Sequence, residues 1–102
     1  MQIAVASSQG KTVDLHFGHA EVFHIYTIEG DGLTLDKKIK VTPLSTGDTN
    51  HAFDPQRFAK IKEALTSCSK IYCTKIGEKP KQEMQERGIE VIEYDGLITE
   101  IS

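Results

Sequence analysis

The 102-residue chain is short of cysteine, of excess positive charge and of long apolar runs, and each shortage closes off a class of function. Its two cysteines, Cys68 and Cys73, are separated by four residues and have no second pair. That spacing is neither a zinc knuckle nor a Cys-x-x-Cys redox pair, and it offers no disulfide framework. Both thiols read first as small core hydrophobes. The formal net charge is −3, whereas nucleic-acid binding needs a basic face, so no nucleic-acid partner is expected. No apolar run approaches the ~20 residues of a membrane span, and no membrane association is expected either. The start, Met1-Gln2-Ile3-Ala4-Val5-Ala6, has no charged leader or cleavage site and reads as a first strand. A cytoplasmic location is the expectation.

Three enzyme classes fail for want of particular residues. Gly10-Lys11-Thr12 has the ending of a phosphate-binding P-loop, but Val5 stands where the pattern needs its first glycine. Two-metal nuclease chemistry needs clustered carboxylates, usually with one on the first strand, and Ile3 to Ala6 supply none. Ser7 and Ser8 follow a strand, yet no Gly-x-Ser-x-Gly elbow frames them. The chain is not expected to be an enzyme.

What is present is an ordinary globular composition, 38% hydrophobic and 26% charged, in a length that suits one domain over residues 1–102. A buried first strand covers residues 2–7, followed by a long loop. A second strand runs from about Val22 to Glu29, and Gly30-Asp31-Gly32 turns it into a third, Leu33 to Val41. Strict alternation puts Leu33, Leu35, Ile39 and Val41 on one face of that strand and Thr34, Asp36, Lys38 and Lys40 on the other. Thr42 to Ala52 reads as a mobile loop and a candidate lid. A helix starts at Pro55 behind an Asp54 cap, with Phe58, Ile61 and Leu65 as its buried stripe. A fourth strand, Lys70 to Thr74, precedes a second helix from about Pro80 to Arg87, stopped by Gly88. Ile89 to Tyr94 forms the fifth strand, and Leu97 to Ser102 is too short to classify.

This β-β-β-α-β-α-β order predicts an α/β fold: a mixed five-stranded sheet, strand order 3-2-1-4-5, with helices on its faces in three layers. Strands one and four then lie side by side with their connections leaving in opposite directions. Ligands of open α/β sheets bind at the carboxyl ends of such a pair. Ser7 to Lys11 and Thr74 to Lys79 emerge there.

The histidine-bearing segment Asp14-Leu15-His16-Phe17-Gly18-His19 continues from the first of these stretches. Imidazole is a borderline-soft ligand for iron, zinc, copper and nickel, and the pair reads either as a metal site or as a surface turn. His51 lies in a loop the topology can bring close. His24, inside the second strand, reads as structural. Cys73, near the end of the fourth strand, is the better placed cysteine for a soft metal ligand. Lys11, Lys75, Lys79 and Lys81 gather at the predicted crevice mouth, either as a solvated face or as a rim that favours an anionic metal–sulfur cluster over a bare cation. A plain transition-metal site and a protein-interaction module without metal are the rival readings.

Ile3-Ala4-Val5-Ala6-Ser7, Asp14-x-His16-Phe17-Gly18-His19-Ala20 and Phe23-x-Ile25-Tyr26 resemble the dinitrogenase iron–molybdenum cofactor biosynthesis family, which takes in NifX- and NafY-type carriers and the C-terminal domain of NifB. Cys68, Ile76-Gly77 and Gly88-Ile89-x-Val91 resemble the second half of the same pattern. The resemblance spans nearly the whole chain, and His-Phe-Gly-His is its most specific part. It implies a ribonuclease H-like fold without nuclease activity and a carrier role in cofactor assembly or delivery. The implied cargo is an iron–molybdenum–sulfur cluster or an iron–sulfur precursor; an orange-protein-type relative holds a molybdenum–copper sulfide cluster. By position, His16 and His19 inherit a place beside the cluster, and His51 does so more loosely. Lys11 and Lys75 would neutralise its charge. The implied partners are cluster-assembly or cluster-accepting proteins, with the chain itself a monomer or weak homodimer. Longer members continue into a further helix, which implies a more open site here or one completed by a partner.

Overall fold

The computed structural model describes residues 1–30, 32–41 and 55–101, with side chains in the first helix from Phe58 onward. Seven strands and two α-helices follow in the order β1 (Gln2–Ala6), β2 (Thr12–Val13), β3 (Val22–Glu29), β4 (Gly32–Lys40), α1 (Pro55–Ala64), β5 (Lys70–Cys73), α2 (Glu78–Glu86), β6 (Glu90–Glu93) and β7 (Gly96–Leu97). Short 3-10 turns occupy Phe17–His19 and Ile98–Glu100. The main sheet runs β4-β3-β1-β5-β6, an antiparallel meander continued by two parallel neighbours.

β1 is central because it is apolar on both faces. Ala4 and Ala6 face one buried cluster, and Ile3 and Val5 face another. The two alanines leave room on their side for the large rings of Phe17, Phe23 and Phe58. On that side Phe58, Ile61 and Leu65 of α1 and Met84 of α2 close the core. Lys62 of α1 and Glu83 of α2 pair at 3.6 Å, so the helices lie side by side.

Both helices therefore cover one face, where helices on both faces were expected. The physical reason is handedness. α1 carries the chain from β4 past β3 and β1 to β5, α2 carries it on from β5 to β6, and right-handed crossovers stepping in one direction leave their helices on one side. The opposite face is covered by a two-stranded ribbon, β2 paired with β7, and by the 3-10 turn after it. Val13, Ile98 and Ile101 are buried there against Ile3, Val5, Tyr26 and Tyr72. The segment from Leu97 onward, too short to classify by pattern, is thus half of a sheet cover.

β4 departs from strict alternation. Tyr26 pairs with Leu35 but Ile25 pairs with Lys37, so Asp36 is an extra residue in a bulge. One extra residue reverses the facing of everything beyond it. Leu33 packs on the ribbon-side cluster, Ile39 and Val41 pack on the helix-side cluster, and Leu35 is 46% exposed. The bulged Asp36 accepts hydrogen bonds from Thr27 Oγ1 and Gln2 Nε2, which hold its carboxyl below the ordinary range.

α2 begins two residues before Pro80, at Glu78 behind the cap Gly77. Proline is tolerated there because first-turn N–H groups have no partner within the helix. The helix ends as expected at Gly88, with φ +82°, and the Ile89 N–H closes on the Met84 carbonyl at 3.1 Å. α1 starts at Pro55 as expected. Its cap Asp54, the candidate lid Thr42 to Ala52 and the candidate ligand His51 lie outside the described residues.

Candidate functional site at the carboxyl ends of β1 and β5

The chain leaves β1, forms the Ser8–Lys11 turn and β2, and returns at Leu15 to the sheet edge. There the Leu15 N–H donates to Ala6 O at 3.2 Å and Leu15 O accepts the Thr74 N–H at 3.0 Å. The Phe17 N–H then donates to Lys75 O at 2.8 Å. The histidine segment thus bridges the carboxyl ends of β1 and β5. Asp14 braces its entry by accepting both the Ser8 N–H (2.9 Å) and the Ser8 hydroxyl (2.6 Å).

Phe17 fixes the turn itself. Its ring is fully buried and meets Phe23 at 5.6 Å and Phe58 edge-on at 6.3 Å. Full burial of such a ring stabilises by about 1.5–3 kcal/mol. With Phe17 inward, His16 and His19 on either side of it are exposed. Their rings stack, centroids 5.3 Å apart and planes 11° from parallel. The 3-10 bond from the His19 N–H to His16 O, at 3.1 Å, sets that spacing.

An open pocket of about 270 Å³ is lined by His16, Gly18, His19, Lys75, Ile76 and Gly77. Gly77 caps α2, so the N-terminal end of that helix and the Lys75 ammonium both bring positive charge to the pocket. Glu78 in the first turn offsets part of it. His19 also borders a second hollow of about 320 Å³ with Ser8, Leu15, Glu21 and Val22. The structure thus brings His16, His19 and Lys75 together.

Two other expected site residues are not brought in. Lys11 stands at the ribbon, where its carbonyl accepts the Ile98 N–H at 3.0 Å, and it does not line the pocket. Cys73, expected as a soft ligand, is fully buried in the helix-side core. Burial, with Glu93 adding repulsion, pushes its thiol from 9.0 up to about 12. A metal ligand must be a thiolate, and this environment favours the thiol. Cys73 sits at the strand end as predicted, but its side chain alternates inward. Cys68 is likewise buried, with its thiol pushed up by desolvation. Among the described residues no three His, Cys, Asp or Glu side chains converge as a metal-ion site.

His24 is 2% exposed, and neither ring nitrogen makes a hydrogen bond of good geometry, the Ser7 backbone offering only a weak one. Burial first, and then the Lys38 charge, lower its pKa below 6.5; the Ser7 backbone and Asp14 pull less strongly the other way. It sits under Gly10, where an added Cβ would come within 3.0 Å of its ring. A structural role follows. Sequence reasoning passed over the Asp14 brace and the Phe17 plug. The only signal for either was a carboxylate and an aromatic inside the histidine segment.

Comparison with known proteins agrees with the motif reading. Residues 1–101 match the family model described as dinitrogenase iron–molybdenum cofactor. The FeMo cofactor biosynthesis protein NifB of Klebsiella pneumoniae is 37% identical over 91 residues, covering 86% of this chain and 19% of that protein. Protein NifX of the same organism is 28% identical over 89 residues, covering 87% of this chain and 53% of NifX. The chain thus spans about a fifth of the NifB relative and about half of NifX. The crystal structure of PH0822 superposes with a TM-score of 0.65 at 18% identity, covering 90% of this chain and 77% of that one, which supports the fold. The chain belongs to the dinitrogenase iron–molybdenum cofactor family, and among its relatives are the FeMo cofactor biosynthesis protein NifB and Protein NifX.

Proposed function

We propose that the chain is a non-catalytic carrier that holds an anionic metal–sulfur cluster, an iron–molybdenum–sulfur cluster or its iron–sulfur precursor, during cofactor assembly or delivery. The observation that carries this reading is the exposed His16–His19 pair at the mouth of a pocket shared with Lys75 and the N-terminus of α2. Imidazole lone pairs fill open positions on terminal cluster metals. The Lys75 ammonium and the helix end offset the negative charge of cluster sulfides. The ribonuclease H-like architecture serves here without its metal-binding carboxylates, since β1 carries only Gln2, Ile3, Ala4, Val5 and Ala6.

An exposed two-imidazole site suits cargo that must leave again. The cluster's own sulfides and a donor or acceptor protein complete the shell that two side chains cannot close. Anaerobic reconstitution with iron, sulfide and molybdate, followed by elemental analysis, tests the reading. Metal and sulfide should be retained together by the native chain and lost in the His16→Ala/His19→Ala double variant. Retention of metal without sulfide would replace the carrier with a plain cation site, and no retention at all would replace it with a metal-free interaction module.

A further inference from the structure

His24 is held between the sheet and the turn that follows β1. Phe23 and Ile25 on either side of it pack in the helix-side core, so alternation turns His24 to the ribbon side. There it stands level with Val5 of β1 and Lys38 of β4. Gly10 lies directly on its ring: an added Cβ would come within 3.0 Å of Cε1 and 3.2 Å of Nδ1. Only a residue without a side chain, free to take φ +81°, can sit so close.

The Ser8–Lys11 turn has few other holds. The Gly10 N–H donates to Ser7 Oγ at 2.8 Å, and the Tyr26 hydroxyl reaches Gly10 O at 3.4 Å. Ser8 is tied through its N–H and hydroxyl to Asp14. Ser8, Gln9 and Lys11 are exposed, so no buried side chain anchors the turn. A segment held this way opens at lower cost than the whole domain.

A neutral imidazole tolerates this seat better than an imidazolium does. Protonation gives the ring a second N–H donor, and neither nitrogen has a well-placed acceptor. Lys38, from β4, repels the charged ring, and Lys11, next in the turn, is a further cation. The other elements on that side contribute Ser7, Tyr26, Tyr72, Val13 and Ile98, all uncharged near neutral pH. The carboxylate that attracts the ring is Asp14, the same group that holds Ser8.

We propose that the Ser8–Lys11 turn is a proton-operated latch: neutral His24 seats it, and protonation of His24 lifts Gly10 from the ring, draws Asp14 off Ser8 and loosens the entry to the histidine segment. The latch works whatever the pocket carries. Burial and Lys38 already hold the closed ring below 6.5, whereas a ring freed into water takes its proton at the ordinary value.

Amide hydrogen exchange of the full chain, read by NMR and corrected for the intrinsic pH dependence, tests the latch. The Ser8 and Gly10 amides should be less protected than those of Ala4 and Val5, which lie between two paired strands. Below pH 6.5 each opening takes up one proton, so Ser8 and Gly10 protection should fall by about tenfold per pH unit until the closed ring itself titrates. In His24→Leu that slope should vanish. Gly10→Ala should prop the turn open and bring the His24 titration midpoint to within about half a unit of its ordinary value. Circular dichroism checks that both variants keep the fold. Protection of Ser8 and Gly10 that stays flat with pH in the native chain overturns the latch. So does protection equal to that of Ala4 and Val5 at every pH, which would mean that the turn opens only when the domain unfolds. A slope retained in His24→Leu, or a midpoint unmoved in Gly10→Ala, overturns it as well. Should a variant fail to fold, the native comparison decides by itself.

Discussion

The Phe17 N–H donates to the Lys75 carbonyl at 2.8 Å, and that bond joins the histidine turn to the carboxyl end of β5. It is the point at which core packing becomes site geometry. The same residue sends its ring inward against Phe23 and Phe58, so the imidazoles on either side of it face the solvent.

Phe17→Ala should therefore cost stability and site together. Removing a fully buried phenyl ring costs about 3–5 kcal/mol. Urea denaturation measures the first effect. Spectroscopic titration with a preassembled four-iron four-sulfur cluster, below the unfolding midpoint, should show weaker binding. A variant as stable as the native chain would contradict the plug role.

Glycines at two places should respond unequally to alanine. A Cβ on Gly96 would lie 2.9 Å from Tyr94 Oη, whose hydroxyl donates to Leu97 O at 3.0 Å while its ring meets Tyr72 edge-on. Gly96→Ala should destabilise the ribbon by about 1–3 kcal/mol, as overpacking does. Gly18 has open space around its Cβ direction, and Gly18→Ala should stay within about 0.5 kcal/mol of native. Thermal melts of the two variants check the contrast.

Acid should weaken the fold through His24. Its folded pKa lies below 6.5, by burial first and then by Lys38. Between that folded value and 6.5 the unfolded chain binds the proton and the folded chain resists it. The contribution is complete above pH 6.5 and is lost as pH falls from 6.5 through the folded value. Urea midpoints across this window should decline with acid in the native protein. The decline should be shallower in His24→Leu, which fills the space without an ionisable group.

Cys73 should be chemically silent in the folded state. With its thiol pushed to about 12, it should resist alkylation at mildly alkaline pH and react once denaturant opens the core. Mass spectrometry of the labelled protein reads this directly, and rapid native labelling would return Cys73 to the candidate ligands. The linkage has its own sign: above pH 9.0 the unfolded thiol loses a proton that the folded one keeps, so this contribution falls as pH rises toward about 12.

Much of the fold was legible because its signals are local. The Gly30 to Gly32 turn, the run from Val22 to Glu29, Pro55 and Gly88 each constrain the backbone within a few residues. β4 shows where that stops. Its apolar spacing reads as one alternating face, but pairing Ile25 with Lys37 and Tyr26 with Leu35 turns Leu33 and Ile39 to opposite sides. A bulge is a relation between two strands, and one strand's pattern does not contain it.

The amino-acid sequence by itself determined the order of the main-sheet strands and helices, the central place of the doubly apolar β1 and the presence of an imidazole pair beyond it. Local rules suffice for these: periodicity, caps and turn residues act over a turn or two of chain. Only the tertiary structure decided which neighbours joined that pair. It kept Lys75, sent Lys11 to the ribbon and buried Cys73. It also put both helices on one face and set the His16 and His19 rings 5.3 Å apart. These outcomes depend on crossover handedness, side-chain alternation at a strand end and the pitch of one anchored turn. Each is set by contacts between residues far apart in the chain, where composition and spacing carry no information.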